Sequence, residues 1–402
     1  MDRCDELAGH SEAPDKLTRV FLSPQHRAAA QTVIGWMHEA GMRADLDAIG
    51  NVVGRYEGTR EGLPCLLLGS HLDTVRDAGR YDGMLGVVAA IECVRAFHDA
   101  KRRFPFAIEI AGFGDEEGAR FATTLLGSRA LAGRFDFAAL EARDERNTTM
   151  ADALRAFGLD PGGIGRAARS RQDILAYVEL HIEQGPVLES LDLPVGVVTA
   201  INGFSRLRAT LTGVAGHAGT VPMPMRRDAL AGAAECVLAV ERIAAGVRDL
   251  VGTVGRIDAH PGAINVIPGR VSFTLDIRSP DNEVRHRAVR DVESAISEIA
   301  VRRKLDFHLE SLQEQNVAVC ADWLVTQLEQ AVTGEGYRLH RLPSGAGHDG
   351  MAVQAISDIA MLFVRCREGI SHHPAESIRE ADAASGTEVL ARFIENFQHR
   401  RP

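Results

Sequence analysis

Three stretches of the chain are almost wholly apolar, and each runs into histidine or carboxylate: LPCLLLGSHLD (63–73), FAIEIAGFGDEEG (106–118) and ILAYVELHIEQG (174–185). Short unbroken apolar runs with polar ends predict strands buried on both faces of a parallel sheet. Between them the period becomes that of a helix. Residues 23–40 (SPQHRAAAQTVIGWMHEA) carry apolar positions at helical spacing, with Ser23 as N-cap and Pro24 in the first turn. Residues 86–98 (GVVAAIECVRAFH) form a second helix, and AIGNVVGRYEG reads as a further strand. In open α/β sheets functional groups gather at the carboxyl ends of strands.

From about residue 204 the texture changes. FSRLRATLTG alternates like a strand with two different faces, 226–247 is an Ala-rich helix, and LVGTVGRIDA and VIPGRVSFTLDIRS are strands. A helix over 281–304 and the strand LDFHLESL follow. That order is β-α-β-β-α-β, the ferredoxin-like plan. The remainder returns to helix (DWLVTQLEQAVTGEG) and strand (IAMLFVRC). The expected fold class is therefore α/β with a mixed sheet, in a discontinuous main domain (1–203 and 317–402) that carries an inserted α+β domain (204–316).

Composition narrows the function. The 402 residues hold 45 Lys plus Arg against 55 Asp plus Glu, a formal charge of −10, which argues against nucleic acid as partner. With 45% apolar and 25% charged residues the chain is ordinary for a soluble globular protein and is not mainly disordered. It has no apolar run of ~18 residues, so no membrane partner is expected. The acidic, polar start MDRCDELAGHSEAPDK is unlike a signal peptide. The six cysteines form no CxxC pair and read as reduced thiols in a cytoplasm.

The polar ends of the strands carry the chemistry. His71 and Asp73 lie on one side of an extended segment, so Asp73 could orient the imidazole as the partner of a metal ligand. Asp82, in Tyr81-Asp82-Gly83, could bridge two cations, or be a turn residue. Asp115, Glu116 and Glu117 crowd three carboxylates behind a buried strand, which needs a cation or a retained proton. Glu179, His181 and Glu183 share one strand face, and a late loop carries His372 and His373. Imidazole and carboxylate without thiolate suit zinc, manganese, cobalt or nickel. Two such ions ~3.5–4 Å apart activate water and polarise a carbonyl, and the Glu beside a ligating Glu is the natural general base. The GxGxxG at 345–350 lacks a buried strand before it and holds His348-Asp349, so a site loop or chance fits better than a dinucleotide turn.

The motifs GSHLDT, YDG, DEEG, ELHIEQGPVLE, AGHAGTVPM, NVIPG, DIR, SGAGHD and ISHHPAE together resemble the M20-type metallopeptidase superfamily. Within it they are similar to the hydantoinase/carbamoylase branch, and HIEQGPVLE separates that branch from the peptidases. The resemblance implies a mixed-sheet two-metal aminohydrolase domain with a ferredoxin-like lid and dimerisation domain. It implies two divalent transition ions: His71 and His181 on one, Glu117 and His372 on the other, Asp82 bridging, with His373 at the variable position. Glu116 would shuttle the proton and Asp73 orient His71. His217, Asn265 and Arg278 of the inserted domain would face substrate, His217 donating to the oxyanion and Arg278 holding a carboxylate. Gln184 and His348 would line the pocket. The implied protein is a cytoplasmic homodimer that hydrolyses a ureido C–N bond of a small carboxylate, releasing ammonia and carbon dioxide. TRVFLSP and RQDILAYVELHIEQG favour allantoate. N-carbamoyl-L-amino acids come next, then N-carbamoyl-β-alanine (the β-ureidopropionase substrate), then peptides. A nicotinamide oxidoreductase and a non-catalytic binding protein are the readings from other classes.

Overall fold

A computed structural model describes residues 1–399. The chain divides into two compact units, Met1–Thr199 with Val319–Pro402, and Ala200–Ala318. The first unit is built on a nine-stranded mixed sheet. Its order is Arg43–Leu46, Val52–Tyr56, Ala107–Phe113, Cys65–His71, Ile174–Ile182, Ile359–Val364, Val195–Ile201 and Ala318–Val319, with Arg341–Ser344 also paired to Val195–Ile201. Four strands in the middle, from Ala107–Phe113 to Ile359–Val364, run parallel, and the flanking pairs are antiparallel. All three apolar runs singled out in the sequence are among these four, and they are buried along almost their whole length.

The helices follow their signals. Ser23 caps the helix Pro24–Glu39 by accepting the His26 N–H, a contact that contributes about 1 kcal/mol. Helix Met84–Asp99 starts directly after Gly83 and packs on strands Cys65–His71, Ala107–Phe113 and Ile174–Ile182. It also packs on helix Glu380–Asn396, which packs in turn on Asp322–Gly334 and on strand Ile359–Val364. Arg341–Ser344 is a short edge strand that does precede the GxGxxG, but only two of its residues are buried. The six cysteines are free and buried. Among the described residues no helix is long and apolar enough to cross a membrane.

In the second unit an antiparallel sheet runs in the order Ile257–His260, Arg270–Ser279, Gly203–Thr212, Asp306–Gln315, and Val251–Thr253 also pairs with Arg270–Ser279. Helices Ala229–Ala245 and Asn282–Arg303 pack on it, capped by Asp228 and Asp281. Alternate residues of Gly203–Thr212 and Arg270–Ser279 point into a core that includes Leu211, Cys236, Phe273 and Ile296. The single strand expected over 250–259 is two, interrupted at 254–256, where the Thr274 hydroxyl and backbone N–H take up the chain: Arg256 N–H donates to Thr274 Oγ1, and Thr274 N–H to Arg256 O.

Candidate metal centre

Strand register brings the first two histidines together. Leu68 pairs with Val178, three residues ahead of His71 and His181 respectively, so the two histidines end adjacent parallel strands at one level. Their rings stack with centroids 5.8 Å apart, and both are buried. His71 pairs with Phe113, which places the following Asp115–Glu117 segment beside it. His181 pairs with Phe363, whose strand leads into the loop carrying His372. Between the first strand and its helix sits Asp82. Gly83 after it has φ 78°, and a Cβ there would stand 2.5 Å from His71 Cε1, so the position takes glycine alone.

Asp82 is the focus. Its Oδ1 lies 3.4 Å from His71 Nε2 and 3.1 Å from His181 Nε2. Its Oδ2 lies 3.1 Å from His372 Nε2, which is itself 3.4 Å from Glu117 Oε1. One oxygen thus faces two imidazoles and the other faces His372, with Glu117 beside it. The triads His71–Asp82–His181 and Asp82–Glu117–His372 each bring three donor atoms within 4.8 Å. His373 stands outside, with its Nδ1 accepting the Ala375 N–H at 3.1 Å.

The donor set fits cations. His71 Nδ1 is 3.0 Å from the carbonyl of Asp73, and His181 Nδ1 is 2.8 Å from the carbonyl of Ile182. A carbonyl only accepts, so both Nδ1 atoms carry protons. In the neutral rings both Nε2 lone pairs then face an oxygen of Asp82, and that of His181 also accepts the Gly83 N–H at 3.2 Å. Lone pair against lone pair at this distance is repulsive unless a cation or a proton lies between. Against burial, Asp82 and neighbouring carboxylates hold His71 well above its ordinary pKa and His181 above it. The Asp82 hydrogen bond holds His372 up at about 9. Against the cost of burial, the three imidazoles hold Asp82 well below the carboxylate range.

Glu116 and Glu117 share this surface, and burial raises both. Burial and the Asp82 charge raise Glu117 to about 7. Burial, with Glu117 and Asp349 nearby, holds Glu116 well above its ordinary value, as a proton carrier requires.

Several expected roles change. The Asp73 carboxylate does not orient His71: its Oδ1 is 4.0 Å from Nδ1, and the backbone carbonyl does that work. The carboxylate instead accepts the Glu116 N–H at 3.1 Å and the Glu117 N–H at 3.3 Å, where two adjacent amides offer it two donors. Glu183 leaves the strand face to accept the Val187 and Leu188 N–H groups at 2.7 and 2.8 Å, capping a short helix. Gln184 donates from Nε2 to Asp82 Oδ2 at 2.8 Å. His348 is buried, edge-on to His181 with centroids 4.6 Å apart, and bonded to Ser344 Oγ at 2.8 Å. Burial and the charge of His181 keep it well below its ordinary pKa, so it is a neutral ring behind the cluster.

In the second unit His217 and Asn265 are neighbours on a two-stranded ribbon: His217 pairs with Val266, and Ala218 N–H donates to Asn265 O at 3.0 Å. Both are exposed. Arg278 lies on strand Arg270–Ser279 and grips Asp276 with Nε at 2.8 Å and Nη2 at 3.0 Å. Glu179, Glu376 and Ser371 had no assigned role. Glu179 is buried under Ser70 Oγ at 3.0 Å and Tyr177 OH at 2.9 Å.

Residues 67–396 match Peptidase family M20/M25/M40. The chain belongs to that family. An N-carbamoyl-L-amino acid amidohydrolase of Geobacillus stearothermophilus is 43% identical to this M20 chain over 93% of it and 91% of the relative. Allantoate deiminase 1 of Glycine max is 39% identical over 98% of the chain and 88% of the relative. A crystal structure of a hydantoinase/carbamoylase family amidase from Burkholderia multivorans superposes with TM-score 0.91 at 33% identity, covering 98% and 95% of the two chains. Within M20, the chain falls in the hydantoinase/carbamoylase branch.

Proposed function

We propose that this protein is a metal-dependent amidohydrolase that cleaves the ureido C–N bond of a small carboxylate, with allantoate as substrate. The observation that carries the reading is the bridging carboxylate: Asp82 offers one oxygen to His71 and His181 and the other to His372, with Glu117 beside it. His71 and His181 would hold one divalent transition ion, Glu117 and His372 a second, and Asp82 both. Bound there, the ions would acidify a water and polarise the substrate carbonyl. Glu116 accepts the proton of the attacking water and returns it to the departing nitrogen. Burial, which raises its pKa, suits the return of that proton. Asp73 fixes the Glu116–Glu117 backbone, and Gln184 keeps Asp82 from turning away until the cations arrive.

The resemblance assigns His217, Asn265 and Arg278 to the substrate, with Arg278 taking its carboxylate through a planar fork. It also reads the second unit as a ferredoxin-like lid and dimerisation domain. The strand order 257–260, 270–279, 203–212, 306–315 supports the first part of that reading. A cytoplasmic setting fits the six buried thiols.

N-carbamoyl-L-amino acids are the second reading, favoured by the 43% identity to the Geobacillus stearothermophilus relative. Ammonia release by protein loaded with Mn²⁺, Zn²⁺, Co²⁺ or Ni²⁺ separates the two. Allantoate turned over fastest supports the first reading, N-carbamoyl-L-amino acids turned over fastest replace it with the second, and cleavage of a dipeptide alone refutes both.

A further inference from the structure

Glu376 is buried, at 4% exposure, four residues beyond His372. Its Oε1 accepts the backbone N–H of Tyr81 at 2.8 Å and of Asp82 at 3.1 Å. Its Oε2 lies 2.9 Å from Ser371 Oγ, and the same hydroxyl stands 2.7 Å from Asp82 Oδ2. One side chain therefore grips the Tyr81–Asp82 backbone, while Ser371 Oγ, with a single proton to give, stands between the two carboxylates. The fit is close. A Cβ on Gly79 would lie 2.1 Å from Glu376 Cδ, so the chain approaches this carboxyl where only glycine stands.

The grip is needed because nothing regular holds Asp82. It lies between the strand that ends at His71 and the helix that begins at Met84, outside both hydrogen-bond ladders. Its buried N–H and that of Tyr81 must find acceptors, and Glu376 Oε1 supplies both. Asp82 must also be level with His372, which comes from a loop almost three hundred residues later. A site that shares one carboxylate between two ligand pairs tolerates errors of about 0.5 Å. Glu376 and Ser371 tie the two loops at the point where that tolerance is set.

We infer that Glu376 is a positioning residue of the metal centre, fixing the Tyr81–Asp82 peptide and Ser371 so that both oxygens of Asp82 face their ligand pairs. The inference rests on the two-cation reading above. Loss of such an outer partner weakens metal binding about 10–100-fold. Glu376→Ala removes the acceptor. Glu376→Gln keeps a carbonyl oxygen for the two N–H groups and an N–H for Ser371 Oγ.

The test is Co²⁺ titration of chelator-treated protein against a competing chromophoric chelator, with the visible spectrum of the bound ion as second readout and circular dichroism to verify folding. Wild type is expected to take two Co²⁺ per chain. Glu376→Ala should bind them about 10–100-fold more weakly with an altered spectrum, and Glu376→Gln should recover most of the affinity. Wild-type affinity and spectrum in a folded Glu376→Ala overturn the inference, as does an equal loss in Glu376→Gln. Should Glu376→Ala not fold, Ser371→Ala decides, since it removes one hydroxyl and leaves the backbone grip. It should weaken Co²⁺ by about 10-fold, and unchanged binding overturns the inference. Wild type that takes up no Co²⁺ overturns the two-cation reading itself and this inference with it.

Discussion

His26 makes the stability of the first unit depend on pH in a way that can be calculated. Its ring is fully buried between Phe21 and Phe157, with centroids 5.7 and 5.5 Å away. Nδ1 accepts the Leu22 N–H at 3.1 Å, so a neutral ring carries its proton on Nε2, which meets no acceptor. Burial, then the charges of Arg19 and Arg120, push its pKa down to about 3 from 6.5. A histidine lowered on folding stabilises the native state fully above its unfolded pKa, and the contribution is lost as pH falls from 6.5 towards 3. At pH 5 the unfolded chain binds this proton and the folded chain does not, which costs RT ln(1 + 10^1.5), or about 2 kcal/mol. The perturbation is His26→Asn, whose side-chain oxygen still accepts the Leu22 N–H and whose amide does not titrate. Urea unfolding of ion-free protein at pH 7.5 and 5.0, followed by tryptophan fluorescence, measures it, because Trp36 and Trp323 both lie in the first unit. Other titrating groups act on both proteins and cancel in the difference. Wild type should lose about 2 kcal/mol more than His26→Asn between the two pH values. Parallel losses would refute the argument, and with it the account of a neutral ring packed beside Gly114 at the base of the Asp115–Glu117 loop.

Three further outcomes follow from the same contacts. Glu116→Gln should keep both cations, measured by elemental analysis, while turnover falls about 10²–10⁴-fold, and a mutant that stays active places the proton transfer elsewhere. Arg278→Ala should lower kcat/KM for a ureido carboxylate about 10-fold or more, the worth of one charged hydrogen bond, and leave an uncharged ureide unaffected. Arg365 holds buried Asp382 with Nε at 2.8 Å and Nη2 at 2.7 Å, joining the end of strand Ile359–Val364 to helix Glu380–Asn396. Asp382→Ala leaves that guanidinium with one exposed partner, Asp192, and should cost about 3–5 kcal/mol in chemical denaturation.

What could be read from the chain divides along a physical line. The buried parallel strands were legible because apolar side chains on both faces leave an unbroken run, and their polar ends pointed to His71, Glu117 and His181. The antiparallel strands Arg43–Leu46, at one edge of the sheet, and Val195–Ile201, inside it, carried no such mark. The first is half exposed, and the second is as apolar as a helix segment of its length. Residues whose task is to hold others were illegible for a different reason. Glu376 and Asp82 are 294 positions apart, and no local pattern records a hydrogen bond of that span. The E of ISHHPAE was visible as a letter, but its partner is a backbone amide, and every residue but proline has one.

The partners that His71 and Glu183 find have a common cause. Histidine and aspartate two apart in an extended segment do share a side, so His71 and Asp73 invited the idea of a side-chain pair. At the end of a strand the backbone turns out of the ladder, and carbonyls close to the ring come within its reach. His71 takes the carbonyl of Asp73 and His181 that of Ile182, both within two residues of the ring. That fixes each tautomer without a carboxylate and leaves each Nε2 directed at Asp82. The Asp73 side chain is then available to accept the Glu116 and Glu117 N–H groups, which holds those two carboxylates in one turn. The same freedom explains Glu183, which stands where the strand has ended and the nearest unpaired donors are the first N–H groups of a helix. Spacing identified which residues have chemistry to offer. Whether the side chain or the backbone delivers it depended on where the ladder stops.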